Sequence, residues 1–285
     1  MRNSVSNILH AAGNLLWSSL FGWLGVGILT GMLSHPSPGS CQIRTTDDST
    51  RHILSSLNLS PSFVQVKEGL YRGLVHKGAN AEFRYSQRSV DGSHVWDWSV
   101  TLAPGLLTWN GSTDISIDVA PIDAGYAIRY ASENPDLEVY VGPYARLQSN
   151  FTQYIQLDGQ HPYWLTLDQL GIRHWLFWKV GEEKRLCFQT DLSLIALASR
   201  PPEWRDYQTF TLNLWGIVRR VYESARVVTT LGALRFMTRV SYEVSIDSSL
   251  PLVYFYQFEI NRADFPANYT NLQSRLGLTI PLHQE

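Results

Sequence analysis

Residues 14–33, NLLWSSLFGWLGVGILTGML, run without a single charged side chain. About 20 apolar residues at a rise of 1.5 Å each cross the ~30 Å hydrocarbon layer of a bilayer. A secretory signal has a shorter apolar region of roughly 7–15 residues, followed by a small-x-small cleavage site. Here Ser37-Pro38-Gly39 is only a loose match, because proline falls inside the recognition window. The stretch therefore predicts an uncleaved transmembrane anchor over 14–33, with a cleaved signal as the alternative and a buried core helix as the third reading. On this division residues 1–13 form a short tail, 34–48 a polar stalk and 49–285 the folded body, with a possible sub-boundary near 198–204.

Composition narrows the rest. Hydrophobic residues make up 44% of the chain, enough for a packed core, so global disorder is excluded. Charged residues are only 17% and the net charge is -2, which gives no bulk attraction for nucleic acid. Of the two cysteines, Cys41 follows the anchor and Cys187 lies deep in the body. They could form one disulfide in an oxidising compartment, or remain one exposed and one buried thiol. No C-x-x-C is present, so neither a zinc site nor any other cofactor is expected.

Within the anchor, Ser18 with Gly22 and Gly27 with Gly31 are small-xxx-small pairs on opposite helix faces. Such pairs let helices approach closely in lipid, so other transmembrane subunits are the expected partners. Basic residues near the two ends nearly tie, with Arg2 on one side and Arg44 and Arg51 on the other. N-x-[ST] sequons at Asn110, Asn150 and Asn268, and a poorer one at Asn58, favour placing the body outside the cytoplasm.

Beyond the stalk, DDSTRHILSSLNLSP is expected as a short helix, capped by Asp48 or Ser49 and stopped by Pro61. From residue 63 the period becomes two. HVWDWSVTL sets Val95 and Asp97 against Trp96 and Trp98, and STDISIDVAPI sets Ile115, Ile117 and Val119 against Asp114, Ser116 and Asp118. Such alternation predicts antiparallel strands with an apolar face inward and a polar face in water. RHWLFWKV and RLCFQTDLSLIAL flank a polar GEEK loop as a hairpin, and PYWLTLDQLG is expected as a short helix. After ASRPPEW, Leu214, Ile217, Val218, Val221, Tyr222, Ala225 and Val228 recur at helical spacing and predict a long amphipathic helix ended by Gly232. The expected fold is α+β: a transmembrane helix, then a β-rich antiparallel sheet or sandwich with one long helix on a face.

Chemistry is sparse. Arg219, Arg220 and Arg226 make a basic helix face, read as an ordinary solvated surface before a partner site. Asp114, Asp118 and Asp123 match no EF-hand loop and read as a solvated strand face. His161 near Asp158 and Asp168 offers a general base, but no nucleophile motif accompanies it. The functional expectation is a non-catalytic, single-pass accessory subunit of a membrane complex, its bulk extracytoplasmic. The alternatives are a membrane-tethered enzyme acting on glycans or lipids, or a sugar- or lipid-binding sandwich. No small-molecule ligand is specified by the residues.

Overall fold

The computed structural model describes residues 52–284, apart from 70–72, 92, 131–133, 156–161, 182–183, 201–221, 224, 246–250 and 266. Those residues form β1 (His52–Glu68), β2 (Leu74–Asp91), β3 (His94–Trp109), β4 (Ser112–Tyr130), β5 (Leu137–Gln153) and β6 (Pro162–Gly181). They continue through β7 (Lys184–Ser199), β8 (Arg226–Thr229), β9 (Ala233–Ser245), β10 (Pro251–Ala263) and β11 (Tyr269–Gln284). Among the described residues the ten long strands pair antiparallel in chain order, with β7 passing to β9, and β1 closes onto β11, so that ring of ten has no free edge. The result is a closed ten-stranded antiparallel barrel.

β8 is not an eleventh stave. It pairs with the end of β7 (Ala198↔Arg226), while β9 pairs with the rest of β7 (Leu192↔Phe236). β8 and β9 are thus one wall position, interrupted by a turn at Thr230–Gly232. Both described chain ends lie at one rim, the terminus end. The other rim, the loop end, carries the connections 69–73, 110–111, 154–161, 200–225 and 264–268. The connection at 110–111 is a two-residue turn with Asn110 at φ 46° and Gly111 at φ 81°. Positive φ at both central residues matches the right-handed twist of the flanking strands.

The expected α+β fold, with a sandwich and a long packed helix, is therefore corrected to an all-β barrel. No helix among the described residues is long and apolar enough to cross a membrane, and the anchor at 14–33 with Ser18, Gly22, Gly27 and Gly31 lies outside the described residues. The helix expected before Pro61 is β1. Its true period is two: Ser56, Asn58, Ser60 and Ser62 are buried while Leu59 and Phe63 are exposed. Proline has no N–H to give a ladder, and the β1–β11 pairing skips Ser60 and Pro61 accordingly. The segment 162–171 is likewise strand, paired along its length with β5. Most of the expected amphipathic helix lies outside the described residues, and its end is β8. The hairpin around GEEK is present as β6–β7, turning between Gly181 and Lys184.

Candidate functional site

In a closed barrel, alternate side chains point into the lumen and out of the wall. Here the inward set is polar. On β4, Asp114, Ser116 and Asp118 are the buried face. On β6, Gln169 is 3% exposed and its outward neighbour Leu170 is 60% exposed. Leu59, Phe83, Leu106, Ile122, Leu147, Ile172, Leu192, Leu276 and Ile280 likewise leave large apolar side chains uncovered around the wall. Trp96, Tyr126, Tyr130, Trp178, Tyr242 and Tyr254 stand exposed towards the terminus end, as aromatic side chains do at a membrane–water boundary. Outward charges among the described residues cluster near strand ends, at Lys67, Lys77, Asp91, Lys184 and Arg262. Asp168 is the exception, and its Oδ2 accepts a hydrogen bond from Tyr222 Oη at 2.5 Å.

An apolar exterior around a polar interior is the inverse of a soluble domain and is the arrangement of a membrane-embedded barrel. The strands hold 13 residues or more apart from β8, and about 9–11 tilted residues suffice to cross a bilayer. Three expectations are thereby corrected. The body is not an aqueous extracytoplasmic domain, because its outer face has no water-soluble side. It is not a sandwich, because its sheet closes. It is not the cargo of a single-pass accessory subunit, because the strands themselves have the exterior that crosses lipid.

The lumen has three layers. At the terminus end, Val95, Ala127, Tyr140, Trp175, Phe177 and Cys187 pack together. At the loop end, Val64, Val66, Leu107, Leu165, Leu167, Ala196 and Ala198 pack with Ala233, Ala263 and Tyr269. Between them lies a charged belt in which five fully buried arginines (Arg84, Arg146, Arg173, Arg235, Arg275) face six carboxylates (Glu82, Asp97, Asp118, Asp123, Asp191, Glu259).

Arg173 is the centre of the belt. Its Nε and Nη2 donate to the two oxygens of Asp191 at 2.8 and 2.7 Å. Its Nη1 reaches Asp97 at 2.9 Å and Nη2 also reaches Asp123 at 2.6 Å. The forked guanidinium can satisfy three carboxylates at once, which a lysine ammonium on the same stem cannot match geometrically. Arg146 donates to the other oxygen of Asp123 at 2.8 Å. Arg235 joins Asp191 to Glu259, and Arg275 joins Glu259 to Glu82. The chain of ion pairs thus runs from β2 and β3 across to β10 and β11. Gly125 leaves the space for it: a Cβ there would lie 2.8 Å from Asp97 Oδ1 and 3.0 Å from Arg173 Nη1.

A second polar cluster lies nearer the loop end. His76 Nδ1 and Asp114 Oδ2 are 2.8 Å apart, and Asp114 Oδ1 accepts from the Ile155 backbone N–H at 3.0 Å. Arg200 bonds Glu68 and the carbonyls of Phe265 and Ala267, tying the 264–268 connection to the wall.

The residues singled out in the sequence are not brought together. Asp168 faces outward on β6, while Asp158 and His161 lie outside the described residues, as do Cys41, Arg219 and Arg220. Arg226 sits on β8 with its guanidinium 5.8 Å from the Phe265 ring centre. Cys187 is buried in the terminus-end apolar layer. Asn110 and Asn268 are exposed at loop-end turns, but Asn150 faces the lumen, 4% exposed, and accepts from Thr152 Oγ1, so its sequon is inaccessible in the folded chain. Asp114, Asp118 and Asp123, read as a solvated face, are luminal and partnered. Arg173, Asp97, Asp191, Arg235 and Glu259 were not anticipated as a site. Their signal is positional: each sits between two outward, mostly apolar neighbours, as in Trp96-Asp97-Trp98 and Phe258-Glu259-Ile260.

No family model matches the chain, and no curated protein matches it. Among solved structures it is similar to the outer membrane protease OmpT from Escherichia coli, at 9% identity and TM-score 0.43, over 84% of this chain and 99% of that one. It is also similar to the beta domain of the Bordetella autotransporter BrkA, at 8% identity and TM-score 0.39, over 80% and 98%. The translocator domain of the autotransporter NalP from Neisseria meningitidis gives 8% identity and TM-score 0.34, over 94% and 97%. At these scores the likeness transfers neither activity nor ligand to this chain.

Proposed function

We propose that the chain is an outer-membrane-type β-barrel plugged by its own side chains, serving as a non-conducting membrane scaffold that presents its loop end to the surrounding medium. The carrying observation is the layered lumen: a nearly charge-balanced belt bordered at the loop end by an apolar layer and at the terminus end, along β3–β7, by a second. A water-filled porin needs a wider ring of about 16–18 strands, whereas small barrels fill with side chains. An even, fully antiparallel strand count fits the outer-membrane class. The longer connections, 154–161 and 200–225, both leave from the loop end. Refolded into planar lipid bilayers, the barrel is expected to insert without steady conductance steps, and liposomes carrying it are expected to stay impermeable to small sugars. Stable porin-scale steps from a pure, folded sample would refute the plugged reading.

A further inference from the structure

At the border of the belt and the loop-end apolar layer lies a cavity of about 10 Å³ lined by Gln148, Asn150, Leu165, Leu167, Asn261 and Asn271. That is about the space one water needs. Four of these residues are amides, all nine-tenths buried or more, and each has one side-chain atom with no protein partner: Gln148 Oε1, Asn150 Nδ2, Asn261 Oδ1 and Asn271 Oδ1. Three of the amides are held in orientation from behind. Gln148 Nε2 donates to Asp118 at 3.1 Å, and Asn261 Nδ2 donates to Glu259 at 3.0 Å, which leaves their oxygens free. Asn150 Oδ1 accepts from Thr152 Oγ1 at 3.2 Å and from Tyr269 Oη at 3.5 Å, which leaves its nitrogen free.

We infer that the four free amide atoms converge on this cavity and bind a single structural water, bridging β5 to β10 and β11 across the lumen. A water gives two hydrogen bonds and accepts up to two, so at any moment it serves two of the three acceptors and the one donor, three of the four atoms. A bare cation is the poorer match, because the Asn150 N–H₂ would point at it and one sphere of space leaves no room for further oxygen ligands. An unfilled cavity would leave four buried amide atoms unsatisfied, each at a cost of about 1–3 kcal/mol. The site lies at the edge of the apolar layer that Leu165 and Leu167 begin. It depends on lumen geometry alone and would stand even if the barrel conducted ions.

The test is a crystal structure of the refolded barrel near 2 Å, with a rubidium soak, together with ¹⁷O magnetic relaxation dispersion on the wild type, Asn261→Leu and Asn261→Asp. One density peak within hydrogen-bond distance of at least three of the four amide atoms is expected, with no anomalous rubidium signal. The count of long-lived waters should fall by one in Asn261→Leu and stay unchanged in Asn261→Asp. An empty cavity, a rubidium peak, or undiminished water in a folded Asn261→Leu barrel overturns the inference. The wild-type density decides alone if Asn261→Leu does not fold.

Discussion

Replacing Arg173 by methionine removes the centre of the belt while keeping an unbranched side chain. In the native barrel the Arg173 side chain is 0% exposed and engages Asp97, Asp123 and Asp191. Its loss takes a partner from three carboxylates: Asp123 keeps Arg146 at 2.8 Å, Asp191 keeps Arg235 at 3.3 Å, and Asp97 loses its direct ion pair. Breaking a buried ion pair by removing one partner costs about 3–5 kcal/mol, because a charge is left uncompensated. With about 1.4 kcal/mol per decade, that corresponds to roughly two to nearly four decades in the unfolding constant. The partial cover left to Asp123 and Asp191 argues for the lower half of that range. Asp97→Asn on top of Arg173→Met should restore part of the loss, since it removes the most isolated charge. The assay is reversible urea or guanidinium unfolding in detergent or lipid vesicles, followed by tryptophan fluorescence and by heat-modifiable gel mobility. A single variant within about 1 kcal/mol of the wild type, or a double variant showing no coupling, would refute the view that this network is dehydrated and mutually dependent.

Three further outcomes follow from the same geometry. Gly125→Val should destabilise the barrel strongly in the same unfolding assay, because its side chain enters the space of Asp97 and Arg173; Gly111→Val should cost about 1–2 kcal/mol through its positive φ, without touching the belt. An outward arginine at Leu147, in the interior of β5, should cost about 2–4 kcal/mol, against little at Lys77 changed to arginine near the rim. Burial and the neighbouring Asp168 push the Tyr222 hydroxyl above the usual tyrosine range. A raised folded value means that this contact contributes fully below the ordinary tyrosine pKa of about 10 and is lost as pH rises beyond it. Tyr222→Phe should therefore lose under about 1 kcal/mol at neutral pH, given the exposed site, and show a flatter alkaline decline in stability than the wild type.

Much of the strand pattern was legible in the sequence, and its meaning was inverted. The alternation of Ile115, Ile117 and Val119 with Asp114, Ser116 and Asp118 is real, but period two states only that the two faces differ. Whether the apolar face meets a core or lipid is decided by closure of the ring, a long-range property carried by pairings such as Leu57↔Ile280. The helix expected within residues 47–61 rests on Ile53, Leu54 and Leu57 at helical spacing, while the longer alternation Asn58, Ser60, Ser62 against Leu59, Phe63 is the stronger local signal. Strand length was a further clue: β4 holds 19 residues and β6 holds 20, far beyond the usual 5–6 of soluble sheets. The belt was out of reach because Arg173 and Asp97 are 76 residues apart and meet only across the closed lumen.

The polarity of the wall can be measured directly by spin labels at the adjacent positions 169 and 170 of β6, in a Cys41→Ser, Cys187→Ala background reconstituted in lipid. A label replacing Leu170 should be accessible to oxygen and shielded from a water-soluble nickel relaxant, while one replacing Gln169 should be shielded from both. High nickel accessibility at position 170 in a folded barrel would mean that the wall faces water, and the membrane-embedded account would be wrong.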